Sequence, residues 1–235
     1  MVKPTTTVVL VHGAWADGSS WNKVIALLLA KGLSVVAVQM PLTSIADDAA
    51  VTRRMIGTIE GPIVLVGHSW GGMAITQVGE EPKVAALVYV SAFAPDIGES
   101  GSSLIGAHPA PPALSTVVTD SAGFTYQTMQ GVLENMAPDV PTADAQALAV
   151  TQGRLAGIAF GQTATAAAWK TKPSWFIVTA DDRVVSVELQ KAEAERMKAR
   201  VTVLHASHMS LLSHPSEVAA VIEEAAASVN AEVAA

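Results

Sequence analysis

Apolar residues along this chain fall into two rhythms. Short continuous runs, rich in β-branched residues, recur at Thr5 to Val11, Leu33 to Gln39, Ile63 to Val66, Val84 to Val90, Ser174 to Thr179 and Val201 to Leu204. A run without polar alternation predicts a strand buried on both faces, the condition of a parallel sheet covered by helices. Between the runs the spacing turns helical. Helices are predicted over Trp21 to Ala30, Ala46 to Ile59 and Val187 to Ala199, the last carrying a Lys191/Glu195 pair at i,i+4. Pro215 suits a first helical turn, and Val218, Val221, Ile222 and Ala225 then follow an i, i+3, i+4, i+7 stripe. The Ala-rich tail beyond is expected to fray. Strands alternating with helices predict a doubly wound, mostly parallel α/β sheet.

The alternation stops between Ala94 and Lys172. Pro95, Pro109, Pro111, Pro112, Pro138 and Pro141 crowd this stretch, with a Gly/Ser-rich link from Gly98 to Ser103 and no convincing strand. Met129, Val132, Leu133 and Met136 form a helical stripe, and Ala143 to Gln152 is a second helix candidate. A long insertion between sheet strands is usually functional. Residues 94–172 therefore read as a helical cap inserted into a core built from residues 1–93 and 173–235.

Composition narrows the partners. The 235 residues suit one sizeable domain. Half are apolar and 15% are charged, which excludes a disordered chain. Fourteen basic residues against 21 acidic ones give a net charge of −7, and no basic stretch exists to meet nucleic acid. The longest apolar run, Val24 to Met40, is broken by Lys31 and Gly32 and falls short of the roughly 18 to 20 residues a membrane span needs. The N-terminus lacks the pattern of a secretory signal, so a cytoplasmic location with no membrane partner is expected. Zero cysteines remove disulfides, thiolate metal sites and cysteine nucleophiles. Neither a metal nor a cofactor is expected, since no paired histidines with a carboxylate share a helix face. Oligomeric state stays open, a homodimer included.

The chemistry starts at Gly67-His68-Ser69-Trp70-Gly71, a G-x-S-x-G run between a strand and a helix. A serine on so sharp a turn sits in strained backbone, and glycines two residues either side avoid the collision a side chain would cause. Serine alone is a weak nucleophile and needs a base oriented by a third group. The strand ending at Thr179 runs into Asp181 and Asp182, and the strand ending at Leu204 runs into His205 and His208. All these loops share one sheet edge, where open α/β sheets bind ligands. His208, in mid-loop, is preferred over His205 at the strand end and over His214 beside Pro215. Asp182 is preferred over Asp181, the other aspartate serving the local turn. Developing negative charge needs donors, assigned to the backbone N–H of Trp70 and, from the loop after the first strand, of Ala14.

Together Val9 to Trp15, Gly67 to Gly72 and Asp182 to Val185 resemble the α/β-hydrolase superfamily, over the whole chain. Within it they look like the small methyl esterase and hydroxynitrile lyase group and its bacterial esterase relatives. The resemblance implies a six-stranded core, a compact cap between its fourth and fifth strands, and Ser69, Asp182 and His208 as a triad. Ser186 departs from it, standing where relatives commonly have proline. Lyases of the group carry a threonine beside the oxyanion loop and a lysine after the catalytic histidine. The matching positions here are Gly13 and Met209, and His208-Met209 is the esterase pairing.

The expected activity is therefore hydrolysis of carboxylic esters of small, neutral, apolar or aromatic molecules through an acyl-enzyme. Trp15, Phe124, Tyr126, Met129 and Leu133 are the expected pocket, with Met129 and Leu133 read equally well as glue between cap and sheet. Basic residues are sparse in the insertion (Arg154, Lys170, Lys172), so no anion anchor is evident. The alternatives are a hydroxynitrile lyase or carbon–carbon bond hydrolase using the same triad, and a small-molecule receptor of hydrolase ancestry.

Overall fold

The computed structural model describes residues 6–234; Thr5, where the first strand was expected to begin, lies outside them. Six strands form one parallel sheet: β1 (Thr7–Val11), β2 (Ser34–Val38), β3 (Ile63–His68), β4 (Val84–Val90), β8 (Ser174–Thr179) and β9 (Arg200–Leu204), in the order β2-β1-β3-β4-β8-β9. The order reverses beside β1, so the carboxyl ends of β1 and β3 open the crevice typical of such sheets. Side chains on β1, β3 and β8 are buried throughout. That two-sided burial is why these strands read as unbroken apolar runs.

The helices are α1 (Asn22–Ala30), α2 (Ile45–Gly57), α3 (Gly71–Val78), α4 (Gly101–Gly106), α5 (Met129–Gly131), α6 (Thr142–Thr151), α7 (Val187–Arg196), α8 (Ser210–Ser213) and α9 (Pro215–Ala234). Both α3 and α9 pack on β1, β3 and β4; α3 packs with α2, and α9 with α1. The two pairs thus cover opposite faces. Ser44 caps α2 by accepting from Asp47 N–H, and Ser186 caps α7 by accepting from Leu189 N–H. The alanine-rich tail stays helical through Ala234 instead of fraying at Ala225.

Residues 94–172 differ from expectation in one respect. They hold helices α4 to α6, a π turn over Val132–Met136, and also a three-stranded antiparallel sheet. Its strands are β5 (Val117–Thr119), β6 (Phe124–Gln127) and β7 (Leu155–Ala156). The sheet is tied to the core by Trp15 Nε1, which donates to Thr125 Oγ1 at 3.2 Å, and by Ala156 N–H, which donates to the Leu42 carbonyl at 2.8 Å.

Candidate active site

Backbone strain marks the carboxyl edge of the sheet. Four non-glycine residues with positive φ follow the first four strands: Trp15 (56°), Leu42 (59°), Ser69 (53°) and Ser91 (47°). Such conformations cost of order 1–3 kcal/mol each and persist only where surroundings fix them. Ser69 is fixed by neighbours on three sides. Its N–H donates to Val90 O at 3.1 Å, and its carbonyl accepts from Gly72 N–H at 2.9 Å and Phe93 N–H at 3.2 Å. The glycines around it are spatial necessities. A Cβ on Gly72 would stand 2.0 Å from Phe93 O, and one on Gly67 would stand 2.8 Å from the Gly71 backbone.

The loop after β1 presses against this turn. A Cβ on Gly13 would lie 2.7 Å from Ser69 Cβ. Among the described residues, the backbone N–H groups of Ala14 and Trp70 donate no hydrogen bond, though both residues are buried. Buried amides without partners are rare and call for an acceptor. His12 locks the loop: its Nε2 accepts from Met40 N–H at 2.9 Å, so its Nδ1 carries the proton and donates to the Gly13 carbonyl at 2.8 Å. Burial lowers the His12 pKa and keeps this ring neutral.

From the other end of the sheet, Asp182 and His208 meet in the interior. His208 Nδ1 lies 2.8 Å from Asp182 Oδ2, and neither side chain is more than 1% exposed. Asp182 Oδ1 accepts from Val184 N–H and Val185 N–H, and Oδ2 also accepts from Thr179 Oγ1 and Gln190 Nε2. Asp182 therefore serves the local turn itself, the task assigned to its neighbour; Asp181 is exposed, as is His205. His214 is half-buried and hydrogen-bonds Ser213. Among the described residues no hydrogen bond joins His208 to Ser69 Oγ, a contact that commonly tightens only with substrate in place.

His68 supports the histidine loop from beneath. Its Nε2 donates to the His208 carbonyl at 3.0 Å, and its ring centroid stands 4.6 Å from that of His208. Burial, and then the neighbouring His208, push its pKa well below the usual imidazole value. Asp139 grips the same loop, accepting from Ser207 N–H at 2.8 Å and from the Ser207 hydroxyl.

A strained serine on the turn after β3, two amides without partners among the described residues and a buried His–Asp pair thus lie on one sheet edge. Residues 8–221 match the family model for the alpha/beta hydrolase family. The chain belongs to that family. Relatives of this hydrolase include methylesterase 7 of Arabidopsis thaliana, 26% identical over 93% of this chain and 95% of that one. A pyrethroid hydrolase of Sphingobium wenxiniae is 27% identical over 93% of this chain and 87% of the relative. Among solved structures, a pyrethroid hydrolase from Sphingobium faniae covers 94% of this chain and 97% of its own, at 23% identity and a TM-score of 0.81. The branch is the one the motifs resemble.

In this hydrolase Ser69, Ala14, Trp15 and Trp70 line a closed cavity together with Phe93, Ile105, Leu114, Phe160, Val184 and Val185. Its free volume is about 20 Å³, room for about one water. Beyond Trp15, Ile105, Leu114 and Phe160 lies an open vestibule of about 610 Å³, also lined by Val117, Thr119 and Thr125. Of the expected pocket residues only Trp15 reaches either space. Phe124 and Tyr126 alternate with Thr125 along β6 and so take the other face, Tyr126 lying under Arg154 at 4.4 Å. Met129 is exposed at the surface, and Leu133 packs against the core.

Proposed function

We propose that this hydrolase is a serine esterase in which Ser69 is the nucleophile, His208 the general base and acid, and Asp182 the group that orients His208. The observation that carries the reading is the sealed His208–Asp182 pair on the sheet edge that holds Ser69 at positive φ. An aspartate on Nδ1 leaves Nε2 as the proton acceptor. Ser69 Oγ attacks the ester carbonyl as His208 takes its proton. The Trp70 and Ala14 N–H groups receive the oxyanion, each worth about 10²- to 10³-fold in rate. His208 returns the proton to the departing alcohol, and water, activated by the same ring, releases the acid. Each proton moves between substrate, water and the chain's own side chains, so the cycle needs no cofactor.

The substrate proposed is an ester of a small neutral molecule with an apolar or aromatic acyl part. Residues 94–172 act as the cap over residues 1–93 and 173–235. Trp15, Ile105, Leu114, Val117 and Phe160 offer no charge to either cavity. The cavity beside Ser69 holds about one water and shares Trp15, Ile105, Leu114 and Phe160 with the vestibule, so the acyl part of the ester is proposed to run past these side chains into the vestibule. Met209 is fully buried where a cyanide-handling lysine would stand in the lyases.

The test is a fluorophosphonate probe with the adduct mapped by mass spectrometry, followed by turnover of p-nitrophenyl esters. Labelling at Ser69, and loss of turnover in Ser69→Ala, are expected. Turnover undiminished in Ser69→Ala would sink the assignment, and labelling without turnover of any ester would point to a receptor.

A further inference from the structure

Asp48 lies outside the machinery just described, yet its carboxyl is fully buried. It sits in the first turn of α2 with both oxygens engaged. Oδ2 accepts from Trp70 Nε1 at 2.9 Å, and Oδ1 accepts from Leu42 N–H at 2.8 Å. An acid near a helix start is ordinarily explained by the helix dipole and by capping. Here Asp47 fills that role from the surface, receiving the Thr43 and Ser44 hydroxyls. Asp48 is turned inward instead. Burial pushes its carboxyl up to about 6 despite the two N–H donors, so keeping an acid here opposes a real desolvation cost.

Its partner is the residue immediately after the nucleophile. Trp70 is 1% exposed, its side chain meets Phe160 edge-on at 5.2 Å, and it lines the cavity at Ser69. Trp70 is the sole residue between Ser69 and α3, so its backbone N–H belongs to the turn that carries Ser69. The same carboxyl holds the strained Leu42, whose carbonyl receives Ala156 N–H from β7.

We infer that Asp48 is a positioning residue for ester hydrolysis, clamping the Trp70 indole so that the Trp70 backbone N–H stays aimed at the developing oxyanion. This rests on the serine esterase reading, in which that N–H is an oxyanion donor. A buried indole N–H needs an acceptor in any packing role, but a neutral acceptor would satisfy it without the desolvation cost of an acid.

The test compares wild type, Asp48→Asn, Trp70→Phe and the double variant on one p-nitrophenyl ester, with thermal melts. Trp70→Phe keeps one aromatic ring and loses the indole N–H donor together with the second ring of the indole, a loss of packing that the thermal melts register. Each single variant is expected to lower kcat roughly 10-fold or more, up to the roughly 10²- to 10³-fold of one whole oxyanion donor, with KM held within about twofold. The double variant should be no slower than the slower single, because both changes break one link. An unchanged kcat in Trp70→Phe, a loss confined to KM, or losses that multiply would overturn the inference. Should Asp48→Asn fail to fold, Trp70→Phe alone decides. Ser69→Ala measured alongside separates the two failures. If it stays active, the esterase reading falls and this one with it. If it is dead while Asp48→Asn and Trp70→Phe match wild type, only the role of Asp48 falls.

Discussion

His208 Nδ1 and Asp182 Oδ2 stand 2.8 Å apart with both side chains sealed from solvent, and five donors converge on that one carboxylate. The donors fix the rotamer of Asp182, which in turn fixes the ring of His208. Asp182→Asn would set an amide NH₂ against N–H donors and favour the wrong imidazole tautomer. We expect kcat to fall on the order of 10⁴-fold. Unsatisfied donors should also lower the melting temperature, by a few degrees per kcal/mol lost. Asp181→Asn, at an exposed site, should leave both quantities at wild type. Kinetics and melts of the two variants check this directly.

The central sheet was legible because strands buried on both faces spell unbroken apolar runs, as Val8 to Val11 and Ile63 to Val66 do. The Ser69 turn was legible because its geometry admits little besides glycine at its flanks. The three small strands were missed because β5 and β7 have three and two residues, too few for periodicity to register. A signal did exist. The segment between β5 and β6 ends in Gly123 (φ +83°), and Asp120 Oδ1 accepts from Ala122 and Phe124 N–H, an Asx turn joining two short β-prone runs. Missing that hairpin put Phe124 and Tyr126 on the wrong face and hid Phe160 and Ile105 as pocket residues. Asp48 was invisible for another reason: its partner Trp70 is 22 residues away, and an acid early in a helix looks ordinary.

Phe160 separates the closed cavity from the vestibule, meeting Trp70 at 5.2 Å and Trp15 at 6.2 Å. Phe160→Ala should join the two spaces. Long or branched acyl esters are expected to gain roughly 10-fold in kcat/KM relative to acetate, the scale of one or two methylenes in an apolar pocket. A p-nitrophenyl acyl-chain series on both proteins measures the shift. An unchanged ranking of chain lengths would remove Phe160 as the boundary.

Gly13 holds the loop after β1 against Ser69, where no methyl fits. Gly13→Ala must displace the loop, since the new Cβ would lie 2.7 Å from Ser69 Cβ and 3.1 Å from His68 Nδ1. We expect kcat to drop about 10²- to 10³-fold through loss of one oxyanion donor. Gly57→Ala, at an exposed site away from both cavities where an added Cβ meets nothing within 4 Å, is the control and should keep full activity. Circular dichroism on both variants separates a displaced loop from a lost fold.

Glu193 is expected to give the molecule a pH-dependent stability. Its side chain, on α7, is buried and reaches the segment after β4; Oε1 accepts from Ala94 N–H at 2.8 Å, and among the described residues Oε2 has no partner. Burial pushes this carboxyl from 4.5 up to about 8. The charged and titratable groups facing it are Arg196, whose guanidinium pairs with Glu99 and the Ala94 carbonyl, then Glu99 itself and Tyr89. Between these two pH values the folded chain keeps a proton that the unfolded chain releases, so stability is greatest at the acid end and falls as pH rises toward 8. Glu193→Gln preserves the Ala94 contact and cannot ionise. Melting temperature against pH should therefore fall more steeply for wild type than for Glu193→Gln, by a few degrees over the window. Parallel curves for the two proteins would show that Glu193 titrates no differently folded than unfolded.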